Sequence, residues 1–381
     1  MARAPARASI DEGEALPEAD RLEGFPHPRE TRTLIGHEDA ERELTQGFAG
    51  GRMHHAWLIA GPEGIGKATL AYRLAKYALA RPQERDPQGQ SLEVDEAASA
   101  ARQVRALSHP GLLVLRRPWD VRAKRFAASI LIDDVRRLRS FLGLTAGDTA
   151  WRVVIVDAAD ELNINAANAL LKSLEEPPTR ALFLLIASEP SRLLPTIRSR
   201  CRRLDLEPLS GSDLRQACEA ALAAADLEAP TADQWGLLER LARGSVRRAL
   251  QLAGSDGLEL YQRIAALFAA LPRLDWPAAH TLSDQLGSAA QEQRFDTFYA
   301  LFLDFLADLV RVRASGGTSA PDYALAQRLI PEAKLPAWAG LWELAVRERD
   351  DAELLNLDRK ALVVGLLGRL EALARGGSNA P

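Results

Sequence analysis

Gly61-Pro62-Glu63-Gly64-Ile65-Gly66-Lys67-Ala68 decides the fold of this chain. Glycines at this spacing let the backbone curl into a nest of N–H donors at a helix start, and Lys67 reaches from it toward outer phosphates. His55-Ala56-Trp57-Leu58-Ile59-Ala60 before the loop reads as a short buried strand, and Thr69-Leu70-Ala71-Tyr72-Arg73-Leu74-Ala75 after it reads as a helix. A glycine-rich turn alone is more often an ordinary loop; strand, glycines, lysine and helix in this order specify a phosphate-loop α/β fold. One component is missing. The position after the lysine carries the Ser or Thr hydroxyl that ligates Mg²⁺, and Ala68 has no oxygen to offer. A one-residue shift along a helix turns a side chain by roughly 100°, so Thr69 is expected to point its hydroxyl away from the metal position. Gly61, Gly64, Gly66, Lys67 and Thr69 remain the nucleotide-binding candidates of this loop. It is suited to holding ATP or ADP and poorly suited to hydrolysing it.

A second strand shows a second gap. Trp151-Arg152-Val153-Val154-Ile155-Val156-Asp157 is an apolar run ending in an acid, where a nucleotidase places the carboxylate that holds the metal's water shell. Asp157 is therefore a nucleotide-site candidate. Ala158 stands where a water-orienting Glu would follow, and Asp160 occupies the fourth position of a DExD-like run. Read plainly, this is a core strand with a capping acid; read functionally, it is a nucleotide site that lacks its hydrolytic parts at two separate places.

Further along, Asn168-Ala169-Leu170-Leu171-Lys172-Ser173-Leu174-Glu175-Glu176-Pro177-Pro178 forms a helix stopped by a double proline. A strand over Leu182–Ser188 follows, and then Leu194-Pro195-Thr196-Ile197-Arg198-Ser199-Arg200-Cys201. This order resembles the clamp-loader branch of the AAA+ proteins, in which Ser-Arg-Cys is an unusually specific motif. His54-His55-Ala56-Trp57-Leu58 and Leu355-Asn356-Leu357-Asp358-Arg359-Lys360 extend the resemblance from about Pro28 to about Leu373.

The resemblance implies an AAA+ domain with a parallel sheet between helices, followed by a small helical lid and an all-α collar. Their bounds are 28–206, 207–256 and 257–376, and 1–27 is expected to be a disordered tail. It also implies a subunit of the bacterial DNA polymerase III holoenzyme without ATPase activity of its own. Such a subunit completes a hetero-pentameric ring with tau/gamma motor subunits and a delta subunit. The ring loads a sliding clamp onto primer-template DNA. By the same resemblance Arg200 acts in trans on a neighbouring subunit's ATP, Arg247 reaches the nucleotide phosphates from the lid with Arg248 as the fallback, and Lys172 faces the DNA chamber. The competing reading is an active motor ATPase of the same branch or a related helicase loader; Ala68 and Ala158 argue against it, since a motor needs a hydroxyl and a carboxylate there. No motif supports a kinase-like phosphotransferase.

Composition bounds the rest. The chain has 381 residues, 47% of them hydrophobic, enough for two or three domains. No run approaches a membrane span, and the acidic start around Asp11, Glu12 and Glu14 lacks the apolar core of a signal peptide, so a cytoplasmic, replisome-associated protein without membrane contact is expected. With only Cys201 and Cys218, one chain cannot build a disulfide framework or a four-cysteine zinc site, and no zinc is expected. The charged, cysteine-free stretch 81–108, where many relatives carry a zinc module, is expected to be helical or disordered. The formal net charge of −4 excludes binding of DNA over the whole surface. Locally, Arg116, Arg117, Arg122, Lys124, Arg125, Arg136, Arg137 and Arg139 face only Asp120, Asp133 and Asp134. That stretch reads first as a solvated or subunit-facing surface and second as a phosphate-contacting stripe. Beyond Leu206 the pattern is helical. Phe295, Phe298, Phe302 and Phe305 line one helix face as core rather than a cofactor box.

Overall fold

A computed structural model describes residues 16–143, 151–254, 256–288, 292–316, 322–355 and 357–376. The chain divides into two compact units, Met1–Leu250 and Gln251–Pro381.

The first unit is built on a parallel sheet. Its elements are α1 (Glu38–Ala49), β1 (Ala56–Ala60), α2 (Lys67–Leu79), α3 (Ser99–Arg105), β2 (Leu112–Leu115), a small hairpin β3 (Trp119–Asp120) and β4 (Arg125–Phe126), α4 (Ile132–Gly143), β5 (Arg152–Asp157), α5 (Ile164–Glu175), β6 (Ala181–Ala187), α6 (Pro195–Arg198), β7 (Arg202–Asp205), α7 (Gly211–Ala224), α8 (Ala232–Ala242) and α9 (Val246–Ala253). The main sheet runs β2-β5-β6-β1-β7, and every neighbouring pair is parallel. A parallel sheet needs cover on both faces, which is why its strands are apolar throughout rather than alternating. In β1 that demand is visible residue by residue: Trp57 and Ile59 enter one core with α2 and Leu44 of α1, while Ala56 and Leu58 enter the other with α4 and α5. The register Ala56↔Phe183 to Ala60↔Ala187 sets β1 beside β6, and Trp57↔Arg202 sets it beside β7. The carboxyl ends of β1, β5 and β6 therefore open on one edge, the place where open α/β sheets bind ligands.

Two sequence-based expectations need correction. The tail expected over 1–27 is structured from residue 16 onward: Phe25 and His27 are buried, because Glu18 and Asp20 find arginine partners in the folded domain. Residues 1–15 lie outside the described residues. The stretch 81–108 is neither all helix nor shapeless. A 3₁₀ turn at Pro82–Glu84 and a bridge between Arg85 and Val94 lead into α3, where Ala101 and Val104 are buried. Farther along, Arg243-Gly244, both in the left-handed region, separate α8 from α9.

The second unit contains α10 (Gly257–Ala270), α11 (Trp276–Leu286), α12 (Glu292–Ser315), α13 (Tyr323–Leu329), α14 (Leu335–Leu355) and α15 (Arg359–Ala374). The long helix α12 organises it: Phe295, Phe298, Phe302 and Phe305 are all buried on its inner face, and Phe268 of α10 packs on Phe302 and Phe305 with centroids 5.3 and 4.7 Å apart. Asp358 starts α15 by accepting hydrogen bonds from the Lys360 and Ala361 N–H groups, an N-cap that explains the acid in Leu357-Asp358-Arg359-Lys360. Glu371 of the same helix accepts from the Leu274 N–H at 2.8 Å and the Trp276 indole at 3.2 Å. Among the described residues no helix is long and apolar enough to cross a membrane.

Phe302→Ala should therefore destabilise this unit by about 3–5 kcal/mol, the range for emptying a buried aromatic site, whereas Trp342→Ser at a 38% exposed position should change stability by about 0.5 kcal/mol or less. Urea unfolding of the two variants measures the difference.

Candidate nucleotide site

The phosphate loop leaves β1 and enters α2 with Gly66 as the residue before the helix. At the C-terminal edge of the sheet it meets Asp157 from β5, Ser188 just past β6, and the N-terminal end of α9. These groups border one cavity of about 850 Å³. Its loop side is formed by residues Gly64 to Thr69, and its other side by apolar groups from three elements: Leu22, Phe25 and Pro26 before α1, Ala221 of α7, and Leu250 of α9. A cavity of this size that combines loop amides with apolar groups suits a nucleotide, with phosphates on the amides and a base among the apolar groups. Ala68 and Ala158, whose side chains carry no oxygen, also border the cavity.

Lys67 is buried, and its ammonium is fully engaged: it donates to the Gly61 carbonyl at 2.7 Å, the Pro62 carbonyl at 2.5 Å and the Ser188 hydroxyl at 3.0 Å. An ammonium has three protons, so the three acceptors account for all of them. Burial lowers its pKa to about 8, against the opposing pull of Asp157, Glu63 and Asp160. Asp157 responds in the other direction. Its carboxyl is pushed up to about 7 by burial and by the negative charge of Asp20, and Lys67 only partly offsets this. Asp160 braces the backbone instead. One of its carboxylate oxygens accepts from the Ser188 and Glu189 N–H groups at 2.9 and 2.7 Å, tying the end of β5 to the end of β6.

Gly64 carries the contact between the loop and α9. Its φ is +77°, and an added Cβ would lie 2.4 Å from the Ser245 hydroxyl and 2.5 Å from the Arg247 Cβ. With no side chain at 64, the Gly64 carbonyl accepts the Arg247 N–H at 3.2 Å. Arg247 itself borders the cavity, with its guanidinium 3.4 Å from Glu63 and donating to the Asp20 and Arg21 carbonyls at 3.4 Å each. Arg248 does not border it. The structure thus gathers Gly64, Gly66, Lys67, Thr69, Asp157 and Arg247 around one cavity, with Gly61 joined to them through its carbonyl on Lys67.

Arg200 and Lys172 lie apart from this cavity. Arg200, about one-third exposed, donates to the Thr196 carbonyl at 2.8 Å and pairs with Glu175 at 2.7 Å. Cys201 packs against the core under α5, and burial pushes its thiol up to about 12, so it anchors the motif and is not a nucleophile. Lys172 is exposed on α5 and shares a shallow groove of about 350 Å³ with Arg139 of α4 and Glu176. The rest of the basic stretch has scattered. Arg116 turns inward to Glu18 and Asp20, Arg117 pairs with Glu161, Arg136 and Arg137 pair with Asp133 and Asp134, and Arg122, Lys124 and Arg125 sit exposed on the β3–β4 turn. Sequence reasoning missed Ser188, the hydroxyl partner of Lys67, and the structure of residues 16–27. The only signal for the latter was Phe25-Pro26-His27-Pro28, an apolar and rigid cluster in a stretch otherwise dominated by charge.

A parallel sheet in this order, with a phosphate loop after β1, an acid closing β5 and an arginine at the start of α9, defines a phosphate-loop protein of the AAA+ type. The family described as "DNA polymerase III, delta subunit" matches residues 36–210. The chain is 40% identical over 182 residues to the DNA polymerase III subunit delta' of Pseudomonas aeruginosa, covering 47% of this chain and 48% of that protein. It is 28% identical over 344 residues to the delta' subunit of Escherichia coli, covering 86% and 92%. The tau subunit of Escherichia coli is 30% identical over 258 residues, covering 64% of this chain and 36% of tau. The chain thus spans about half the length of the Pseudomonas relative, about a third of tau and nearly all of the Escherichia coli delta' protein. Among solved structures, a DNA polymerase III gamma subunit-related protein from Thermotoga maritima aligns with a TM-score of 0.44 at 18% identity, over 88% of this chain and all of that one. The chain is thus similar to DNA polymerase III delta' subunits, at 40% identity over about half its length and at 28% over most of it.

The raised Asp157 pKa gives a test of the site's electrostatics. Between about 4 and about 7 the folded chain binds a proton that the unfolded chain has released, so stability falls as pH rises through this window and the loss is complete above it. Asp157 keeps some exposure to the cavity, which screens the effect to about 1–2 kcal/mol. Asp157→Asn should be more stable than the parent by that amount at pH 8 and lose the advantage at pH 4, as read by urea unfolding at the two pH values.

Proposed function

We propose that this chain is a non-hydrolysing clamp-loader subunit of a DNA polymerase III holoenzyme. It completes a ring with tau/gamma-type motor subunits and a delta subunit, and it supplies Arg200 to the ATP of a neighbour. The observation that carries the reading is the pair of methyl groups, Ala68 and Ala158, bordering the cavity where a hydrolase needs a metal-binding hydroxyl and a water-orienting carboxylate. Loop amides, Lys67 and Arg247 still suit a nucleotide held without turnover. In this reading residues 207–256 are the lid and 257–376 the collar through which the ring is joined.

Magnitudes favour the role of Arg200. Its pair with Glu175 is half-exposed, and such pairs contribute about 0–1 kcal/mol. An arginine finger stabilises charge on the γ-phosphoryl oxygens by a factor of about 10³–10⁵ in rate, some 4–7 kcal/mol. A neighbouring phosphate would therefore outcompete Glu175 for the guanidinium, while Cys201 and the Thr196 carbonyl keep the motif in place. The purified chain should show negligible ATPase activity, and a ring carrying Arg200→Ala should assemble normally yet lose DNA- and clamp-stimulated hydrolysis at the one adjacent motor site. Steady turnover by the chain alone, abolished by Lys67→Ala, would contradict the reading, as would unchanged hydrolysis at that motor site in the variant ring.

Lys172 supports a DNA contact within this assembly. It is exposed and lines one groove with Arg139, so two cations, with Glu176 as the acid of the same groove, are offered together there, whereas the rest of the basic stretch is scattered. Loss of one phosphate contact lowers the salt slope of binding by about one unit. Lys172→Ala in the assembled complex should weaken primer-template binding and reduce that slope; an unchanged slope means that the lysine is only solvated.

A further inference from the structure

The segment before α1 is held to the first unit by a buried ionic network. Glu18 accepts from Arg29 at 2.8 and 2.9 Å and from Arg116 at 2.6 Å, and Asp20 accepts from the other arm of Arg116 at 2.8 Å. Burial works against both charges, but the hydrogen bonds from Arg29 and Arg116 hold the Glu18 carboxyl below its usual range, and His27 and Arg116 do the same for Asp20. His27 is fully buried. Its Nδ1 accepts the Arg29 N–H at 3.1 Å, so its Nε2 carries the proton that faces Asp20 at 3.0 Å. Arg29 also donates to the Arg105 carbonyl at the end of α3. Charge-assisted bonds of this length are the strong kind.

Toward α9 the same segment makes a different contact. The carbonyls of Asp20 and Arg21 accept the two guanidinium arms of Arg247 at 3.4 Å each, long and correspondingly weak. The side chains of Glu18 and Asp20 are thus fixed by short ionic bonds, while the adjoining backbone presents the Asp20 and Arg21 carbonyls to the arginine that the proposed function aims at phosphate. These contacts occupy Nε and one N–H on each arm, so only one N–H per arm is left, and a phosphate gains the full forked contact with Arg247 only by drawing it off the strap.

We infer that the segment Glu18–Glu30 is a strap that parks Arg247 and thereby sets the affinity of the cavity for nucleotide, with Glu18, Asp20 and Arg116 as the residues that position its two carbonyls. The inference rests on the proposed nucleotide-binding reading of the cavity. A side chain parked in one state binds a ligand in the other with an affinity reduced by the fraction of time it is released. Loosening the strap therefore raises affinity, and it does so only while Arg247 is present.

Binding of ADP to the full chain by titration calorimetry, in a cycle of four proteins, tests this. Glu18→Gln should tighten ADP binding by about tenfold, the effect of two weak hydrogen bonds released, and the gain should disappear when Glu18→Gln is combined with Arg247→Ala. Arg116→Lys, which keeps the charge but cannot bridge Glu18 and Asp20 together, should reproduce the gain, and it replaces Glu18→Gln if thermal unfolding shows that variant to be misfolded. Equal affinity in parent and loosened chains, or a gain that survives in the Arg247→Ala background, overturns the strap while leaving nucleotide binding standing. No ADP binding by any of the four proteins overturns both.

Discussion

A single hydrogen bond from the Arg247 main-chain N–H to the Gly64 carbonyl ties the start of α9 to the phosphate loop, and it exists only because residue 64 has no side chain. Around it the architecture falls into order. Ser245 and the Arg247 Cβ fill the space a Cβ at 64 would take, the start of α9 is thereby fixed over the loop, and the Arg247 guanidinium is delivered to the cavity's edge. The remaining walls follow from the sheet: β5 supplies Asp157, β6 supplies Ser188, and Asp160 links their ends.

The electrostatics of the cavity explain why its charges are paired so tightly. A lysine and a carboxyl brought together away from water each move toward the neutral form, and the pKa values of about 8 and about 7 for Lys67 and Asp157 record that pressure. Asp20 adds a further negative charge close to Asp157, and Arg116 compensates it. The acidic segment before α1 is thus part of the site's charge balance and not an appendage to it.

What the sequence made legible were features with a fixed period or a fixed spacing. The phosphate loop, the apolar strands Ala56–Ala60 and Arg152–Asp157, and the phenylalanine face of α12 each depend on residues within one turn or one strand of each other, so their pattern survives in one dimension. The segment 16–27 was illegible for the opposite reason. Glu18 and Asp20 read as solvated charge until Arg116, nearly a hundred residues on, turns inward to meet them. By the same token Arg116 counted toward a basic surface that does not exist as a stripe. Pairing at long range converts charge that looks like solvent-facing composition into core structure.

The loop's glycines also have a packing role that needs no hydrolysis. At Gly61, with φ +145°, an added Cβ would sit 2.4 Å from the Leu206 carbonyl, just beyond β7; at Gly64 it would strike the start of α9. A chain can therefore give up the metal-binding hydroxyl at 68 and the carboxylate at 158, which face the cavity, without disturbing either contact. It cannot give up the glycines, because they hold the loop against the strand and helix that follow. The glycines at 61 and 64 therefore serve the packing of the fold, whatever side chains stand at 68 and 158.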